Sequence, residues 1–198
     1  MFSFNAAGLQ SKLNSFKCEI SRTNAGLFTV QESHYATKGK VQIENYEIFE
    51  AIRKSKEKGG TIVGAHKALK PILINEYNDP FEIIVIEIKA ANKEIRVISG
   101  YGPQETWTPT ERLPFFEAIE EEVIKAELAG KSVIIEADFN SKLGKDFISN
   151  DPHDISPNGR VLAEIIRRQT LTVLNGSVKC KGTITRVRVT AHLTQRSV

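Results

Sequence analysis

Cysteine is scarce: Cys18 and Cys180 are the only two, far apart and in no Cys-x-x-Cys or Cys/His spacing. That argues against a zinc site or a disulfide framework and favours a reducing, intracellular setting. No apolar run approaches the length of a membrane span, so no membrane partner is expected. The opening stretch MFSFNAAGLQ lacks a basic segment followed by an apolar core, so it does not read as a secretory signal. Internal repeats, low-complexity tracts and Pro/Gly/Ser linkers are absent too, which predicts a single domain over 1–198. Strong charge of either sign is also missing. The formal net charge of +3 is compatible with a polyanionic partner but too weak to show one. What remains is an ordinary globular balance, 40% apolar and 26% charged, in a chain long enough to bury a substantial core.

Helix-period and strand-period segments alternate along the chain. Leu9, Leu13, Phe16 and Ile20 fall at helical spacing and predict an amphipathic helix over 9–21. Strands are expected at 27–32, at 41–49 and after Gly59-Gly60. FEIIVIEIK (81–89) is apolar on both faces, as a covered central strand is. EIRVISGYGP (94–103) returns after a turn at Asn92-Lys93, which predicts an antiparallel hairpin. Residues 109–128 read as a helix with Pro114 near its start and a core stripe of Phe116, Ile119, Val123 and Leu128. KSVIIEADFN is the next strand. A second helix follows from about residue 159 or 160 to Gln169, with Asn158 as its cap, and TVLNG and TITRVRVT read as late strands. The pattern is α/β with strand hairpins rather than strict βαβ alternation. It predicts two packed, mainly antiparallel sheets flanked by helices, a four-layered α/β sandwich.

Several of these strands end in a polar group where the aliphatic run stops. Asn5 follows Phe2 and Phe4, Glu32 follows Val30, Tyr101 follows Val97 and Ile98, and Asp138 and Asn140 follow Val133 to Ile135. Strand ends hold side chains on rigid backbone at the rim of a core. A carboxylate with an amide suits a hard cation with oxygen ligands, magnesium above all. A second acid and a tyrosine suit water activation and phosphate contact. Asn140, two positions beyond Asp138, points to the same side if the chain stays extended. Each residue also has a plain structural account. Glu32 can be a solvated strand end, Asn5 a turn or helix cap, Tyr101 a packed aromatic, and Asp138 and Asn140 Asx turns. Taken singly, those accounts prevail for all but Asp138; the ordered set reverses that balance.

The ordered pieces FSFNAAGLQSKL, LFTVQES, GGTIVGA, SGYGPQE, EADFNSKLG, NGRVLAEIIRRQTLTVLNG and GTITRVR span nearly the whole chain. On them the chain resembles the endonuclease/exonuclease/phosphatase superfamily, and within it the endonuclease domain of non-LTR (LINE-type) retrotransposon proteins. The resemblance implies magnesium-dependent hydrolysis of a phosphodiester, with manganese as a substitute. It implies a nick in target DNA whose 3′-hydroxyl primes reverse transcription, a reverse transcriptase domain in cis, a monomer and a nuclear location. Glu32 would be the principal metal carboxylate, with Asn5 beside it. Tyr101 would contact the scissile phosphate, and Asp138 and Asn140 would orient the attacking water and the phosphate. Thr185 matches a polar residue facing the site from a late strand.

Two departures stand out. Glu136-Ala137 replaces the glycine that usually precedes Asp-Phe-Asn, and Glu136 is expected to point away from Asp138 or to sit at the sheet margin. The family pattern also continues with a Ser-x-Ile-Asp stretch and a Ser-Asp-His motif. Neither occurs in this sequence, which leads to the expectation of a domain incomplete at its C-terminus, without its last strands and impaired in catalysis. Two alternatives stay open: a phosphatase or phosphodiesterase of the same superfamily, and a non-catalytic DNA-binding remnant. Basic residues group at Arg53, Lys54, Lys56 and Lys58 and again at Lys179, Lys181, Arg186 and Arg188. Arg186 and Arg188, on one face of a strand, suit a track of phosphates, and Lys54 suits a backbone contact from a hairpin tip. Trp107 suits either stacking on a base or covering the helix that follows.

Overall fold

The computed structural model describes residues 1–52, 59–148, 153–174 and, as backbone only, 189–192. The chain divides into two compact units, Met1–Tyr101 and Gly102–Val198.

In the first unit, β1 (Phe2–Asn5), β2 (Leu27–Gln31), β3 (Tyr46–Ala51) and β4 (Thr61–His66) form a four-stranded sheet in the order β1-β2-β4-β3. β1 and β2 run parallel, and the other two pairings are antiparallel. A second set of strands, β5 (Ile72–Tyr77), β6 (Glu82–Ala90) and β7 (Lys93–Tyr101), pairs antiparallel in sequence order. β6 is buried over nearly its whole length, because it is covered on both faces, as its unbroken aliphatic run predicts. One face of the four-stranded sheet packs Phe49, Val63 and Ala65 against Ile84, Ile86, Ile88 and Val97. Its other face carries α1 (Leu13–Thr23), whose Phe16 and Ile20 meet Phe28, Val30 and Ile62. Phe28 fixes the register there. A Cβ on Gly64, its partner on β4, would lie 2.0 Å from the Phe28 ring, so any larger residue there must displace that ring.

In the second unit, α2 (Pro109–Leu128) opens with a full capping box: Thr108 Oγ1 accepts from the Glu111 amide and the Glu111 carboxylate accepts from the Thr108 amide. Just ahead of it the Trp107 amide donates to the Gln104 carbonyl, closing a turn. Phe116 of α2 stacks on Phe139, which follows β8 (Ser132–Asp138), and Phe115 meets the same ring edge to face. β8 pairs antiparallel with β10 (Val189–His192), which pairs with β9 (Thr172–Val173). The 12-residue α3 (Pro157–Arg168) joins α2 through Arg168 and Gln169, both donating to Glu120.

Three sequence expectations need correction, and one strand had no counterpart among them. Leu128 is 84% exposed and outside the core stripe, because it is the last residue of α2 and overhangs the packed turns. The 41–49 strand begins only at Tyr46, although Val41 is buried, because the turn at Asn45 takes a left-handed φ of 65°. β5 went unread: Ile72, Leu73 and Ile74 are all exposed on it, so it carries no period-two pattern. The cap of α3 is Ser156, whose hydroxyl accepts from the Gly159 amide at 3.2 Å; Asn158 is a fully buried residue inside the helix.

Candidate active site

β1 and β8, one in each unit, end by the same local device. At the end of β1 the Ala7 amide donates to Asn5 Oδ1 at 3.2 Å. At the end of β8 the Asn140 amide donates to Asp138 Oδ1 at 3.1 Å. Both are Asx turns, and in both the residue two positions on is left-handed, Ala7 at φ 43° and Asn140 at φ 45°. The strand therefore stops at Asp138, and Asn140 lies beyond it in a turn; the expectation of an extended chain through Asn140 is corrected. The plain structural account of Asp138 as an Asx turn is the one observed, and that turn fixes its carboxylate.

In the first unit, Asn5 Nδ2 donates to Glu32 Oε1 at 2.8 Å, across 27 positions of sequence. Glu32 follows β2 and is left-handed at φ 53°, and His34 two residues on is left-handed at φ 57°. Left-handed backbone costs a non-glycine residue roughly 1–2 kcal/mol and persists only where the surroundings over-determine it. Here they do. The amides of Ala6, Gly8 and Leu9 donate to the carbonyls of Gln31, Glu32 and Ser33 on one side. On the other, the amides of Ser33 and His34 donate to the carbonyls of Gly60 and Gly59. His34 Nε2 lies 3.8 Å from Glu32 Oε2, with side-chain exposures of 25% and 17%. Tyr101 ends β7, is 8% exposed and pairs with Glu82 across the hairpin.

Asn5 and Glu32 offer an amide oxygen and a carboxylate at a partly open strand end. Among the described residues no three of His, Cys, Asp and Glu gather around one point. A donor set with one carboxylate fits a small hard cation that keeps most of its waters, as magnesium does, and not a protein-caged zinc or calcium.

In the second unit, Asn140 Nδ2 donates to the Gly102 carbonyl at 2.8 Å, and the Gly102 amide donates to the Asp138 carbonyl at 2.7 Å. Asp138 is 4% exposed. Glu136 is 3% exposed within β8, and the two-residue pleat puts it on the same face as Asp138. The expectation that it points away or sits at a solvated margin is corrected by that period.

The structure thus joins Asn5 to Glu32 and Asp138 to Asn140. Thr185, Arg186, Arg188 and Lys54 lie outside the described residues. Sequence reasoning missed His34 and Asn158. The stretch Gln31-Glu32-Ser33-His34 did place a histidine two positions from the metal candidate. Nothing in the sequence signalled that Asn158 is buried beneath Asn140.

No protein-family model and no curated protein matches the chain. Solved structures do match. The endonuclease domain of TRAS1, a telomere-specific non-LTR retrotransposon, superposes with a TM-score of 0.62 at 17% identity, covering 96% of this chain and 82% of its own. The AP endonuclease LMAP of Leishmania major gives 0.68 at 12% identity, over 87% of this chain and 67% of its own. The 3′ phosphatase NExo (D146N) from Neisseria, bound to a product DNA hairpin, gives 0.65 at 14% identity, over 91% and 74%.

The fold is the one these two endonucleases and the 3′ phosphatase share. The α/β sandwich of two sheets flanked by helices expected from the sequence is therefore the fold observed. At these identities the likeness shows the fold alone, and the chemistry must be argued from the residues. Among the described residues no helix is long and apolar enough to cross a membrane.

Proposed function

We propose that this chain hydrolyses phosphodiester bonds in DNA with a magnesium ion, for which manganese can substitute. Glu32 and Asn5 would hold the cation, which lowers the pKa of bound water and offsets phosphate charge. Tyr101 and Asn140 contact the phosphate, and Asp138 orients the attacking water. The observation that carries the reading is the Asn5–Glu32 pair: a 2.8 Å bond between two strand ends, from an amide to the carboxylate of left-handed Glu32. The similar proteins act in the same sense, since one is an endonuclease domain of a retrotransposon and another is bound to product DNA. On this reading the nick leaves a 3′-hydroxyl for a reverse transcriptase carried in cis, and a monomer works on DNA in the nucleus.

The test is conversion of supercoiled plasmid to nicked circle by the purified chain. The reading expects nicking with magnesium and none with EDTA. Glu32→Gln and Asp138→Asn each lower the rate by about 100-fold or more, the scale of losing one electrostatic contributor. Magnesium titration by calorimetry separates the roles, because Glu32→Gln abolishes the heat and Tyr101→Phe does not. Faster turnover of nucleotides or inositol phosphates than of plasmid would replace this reading with a small-molecule phosphodiesterase. DNA retention that falls steeply with salt, without any nicking, would replace it with a DNA-binding role.

A further inference from the structure

Asn158 is fully buried and is the second residue of α3, after Pro157 and the cap Ser156. Its Nδ2 lies 2.9 Å from the Pro103 carbonyl, 3.2 Å from the Asn140 carbonyl and 3.4 Å from the Phe139 carbonyl. Its Oδ1 accepts from Arg112 Nη1 of α2 at 3.3 Å. The amide has two hydrogens for three carbonyls, so one hydrogen is shared. A guanidinium on one side and three carbonyls on the other admit only one orientation of the group. Asparagine alone among side chains of this length presents two donors one way and an acceptor the other; aspartate would turn oxygens against three carbonyl oxygens.

The carbonyls it gathers are those of the candidate site's own loop. Phe139 and Asn140 follow β8, and Pro103 follows Gly102, whose carbonyl takes the Asn140 side-chain amide. Asn140 is held left-handed at φ 45°, and such a conformation needs surroundings that over-determine it. α3 is pinned close enough to do this. The Ser156 amide donates to the Lys142 carbonyl, the Lys142 amide donates to Ser156 Oγ, and a Cβ on Gly159 would lie 1.9 Å from the Lys142 carbonyl oxygen.

We infer that Asn158 is a positioning residue: it locks the Phe139–Asn140 and Pro103 carbonyls together and so holds the Asn140 side chain aimed by its bond to Gly102. Its bearing on phosphodiester cleavage rests on the proposed function; its grip on Asn140 does not. The experiment is hydrogen exchange of the Asn140 side-chain amide by NMR, run beside plasmid nicking on the same samples. In the native chain that amide is protected. Asn158→Asp raises its exchange at least tenfold while amides of β6 are unchanged, and kcat falls at least tenfold with KM within about twofold. Arg112→Ala, a partly exposed site that leaves the buried amide without its orienting donor, raises the exchange severalfold and decides the matter where Asn158→Asp does not fold. Unchanged Asn140 exchange in a folded variant overturns the inference, whatever happens to nicking. A native chain with a protected Asn140 amide and no nicking refutes the proposed function and leaves the inference standing.

Discussion

The two Asx-turned strand ends look alike locally and differ in what holds them. At the end of β1, the turn residue Asn5 uses its remaining amide on a side chain far away in sequence, Glu32. At the end of β8, the turn is gripped by backbone carbonyls and by a buried asparagine from α3. The first arrangement joins two partly exposed side chains through a charge-assisted bond worth about 1.5–3 kcal/mol. The second is a buried polar network, in which every member depends on the others. On the proposed function the first strand end exchanges a partner and the second keeps its shape.

The largest effect expected is at the second. Gly159→Ala drives a methyl into a backbone carbonyl that cannot rotate away, and it should cost about 3 kcal/mol or more in urea denaturation. Gly64→Ala meets the Phe28 ring, a side chain that can shift, and should cost roughly 1–3 kcal/mol. Equal losses would undo the claim that the α3 contact is the stiffer one. The next test exchanges the left-handed residues. Ala7 is exposed, so Ala7→Gly relieves backbone strain without losing a contact and should stabilise by about 1 kcal/mol. Asn140→Gly relieves the same strain but forfeits the bond to Gly102, and should be neutral or destabilising. Thr108→Ala removes the capping box and should cost about 1 kcal/mol by thermal denaturation.

The smallest effects separate the units by pH. Burial raises the Tyr46 phenol above its ordinary value. The folded state holds that proton more tightly, so the stability it brings is present below about pH 10 and is lost as pH rises through the folded value. In the second unit the Arg168 guanidinium, bonded to Glu120, holds that carboxyl below its ordinary value. Its contribution is present above about pH 4.3 and is lost as pH falls. Denaturation followed at both extremes should show Tyr46→Phe flattening the alkaline limb and Glu120→Gln the acid limb.

Much of this was legible in the residues. β6 and β7 were readable because an aliphatic run followed by a turn and a second run has few other solutions. The polar residues at strand ends were readable as places where an aliphatic run stops, and the structure puts Asn5 and Asp138 in Asx turns there. β5 was not, since an exposed strand shows no alternation to detect. Asn158 was not, because asparagine before glycine near a helix start is the ordinary signature of a cap, and its burial depends on contacts 18 and 55 positions away. Left-handed Glu32 and His34 were not either, since nothing local demands that conformation and the pairing on both sides imposes it.

The distribution of aromatic chromophores gives the molecule a built-in optical label. All four tyrosines, at 35, 46, 77 and 101, fall in Met1–Tyr101, and the single tryptophan, Trp107, falls in Gly102–Val198, beside the capped start of α2. Tryptophan emission therefore originates in the second unit, and every tyrosine lies in the first. A single unlabelled sample can show whether the two melt together or one before the other.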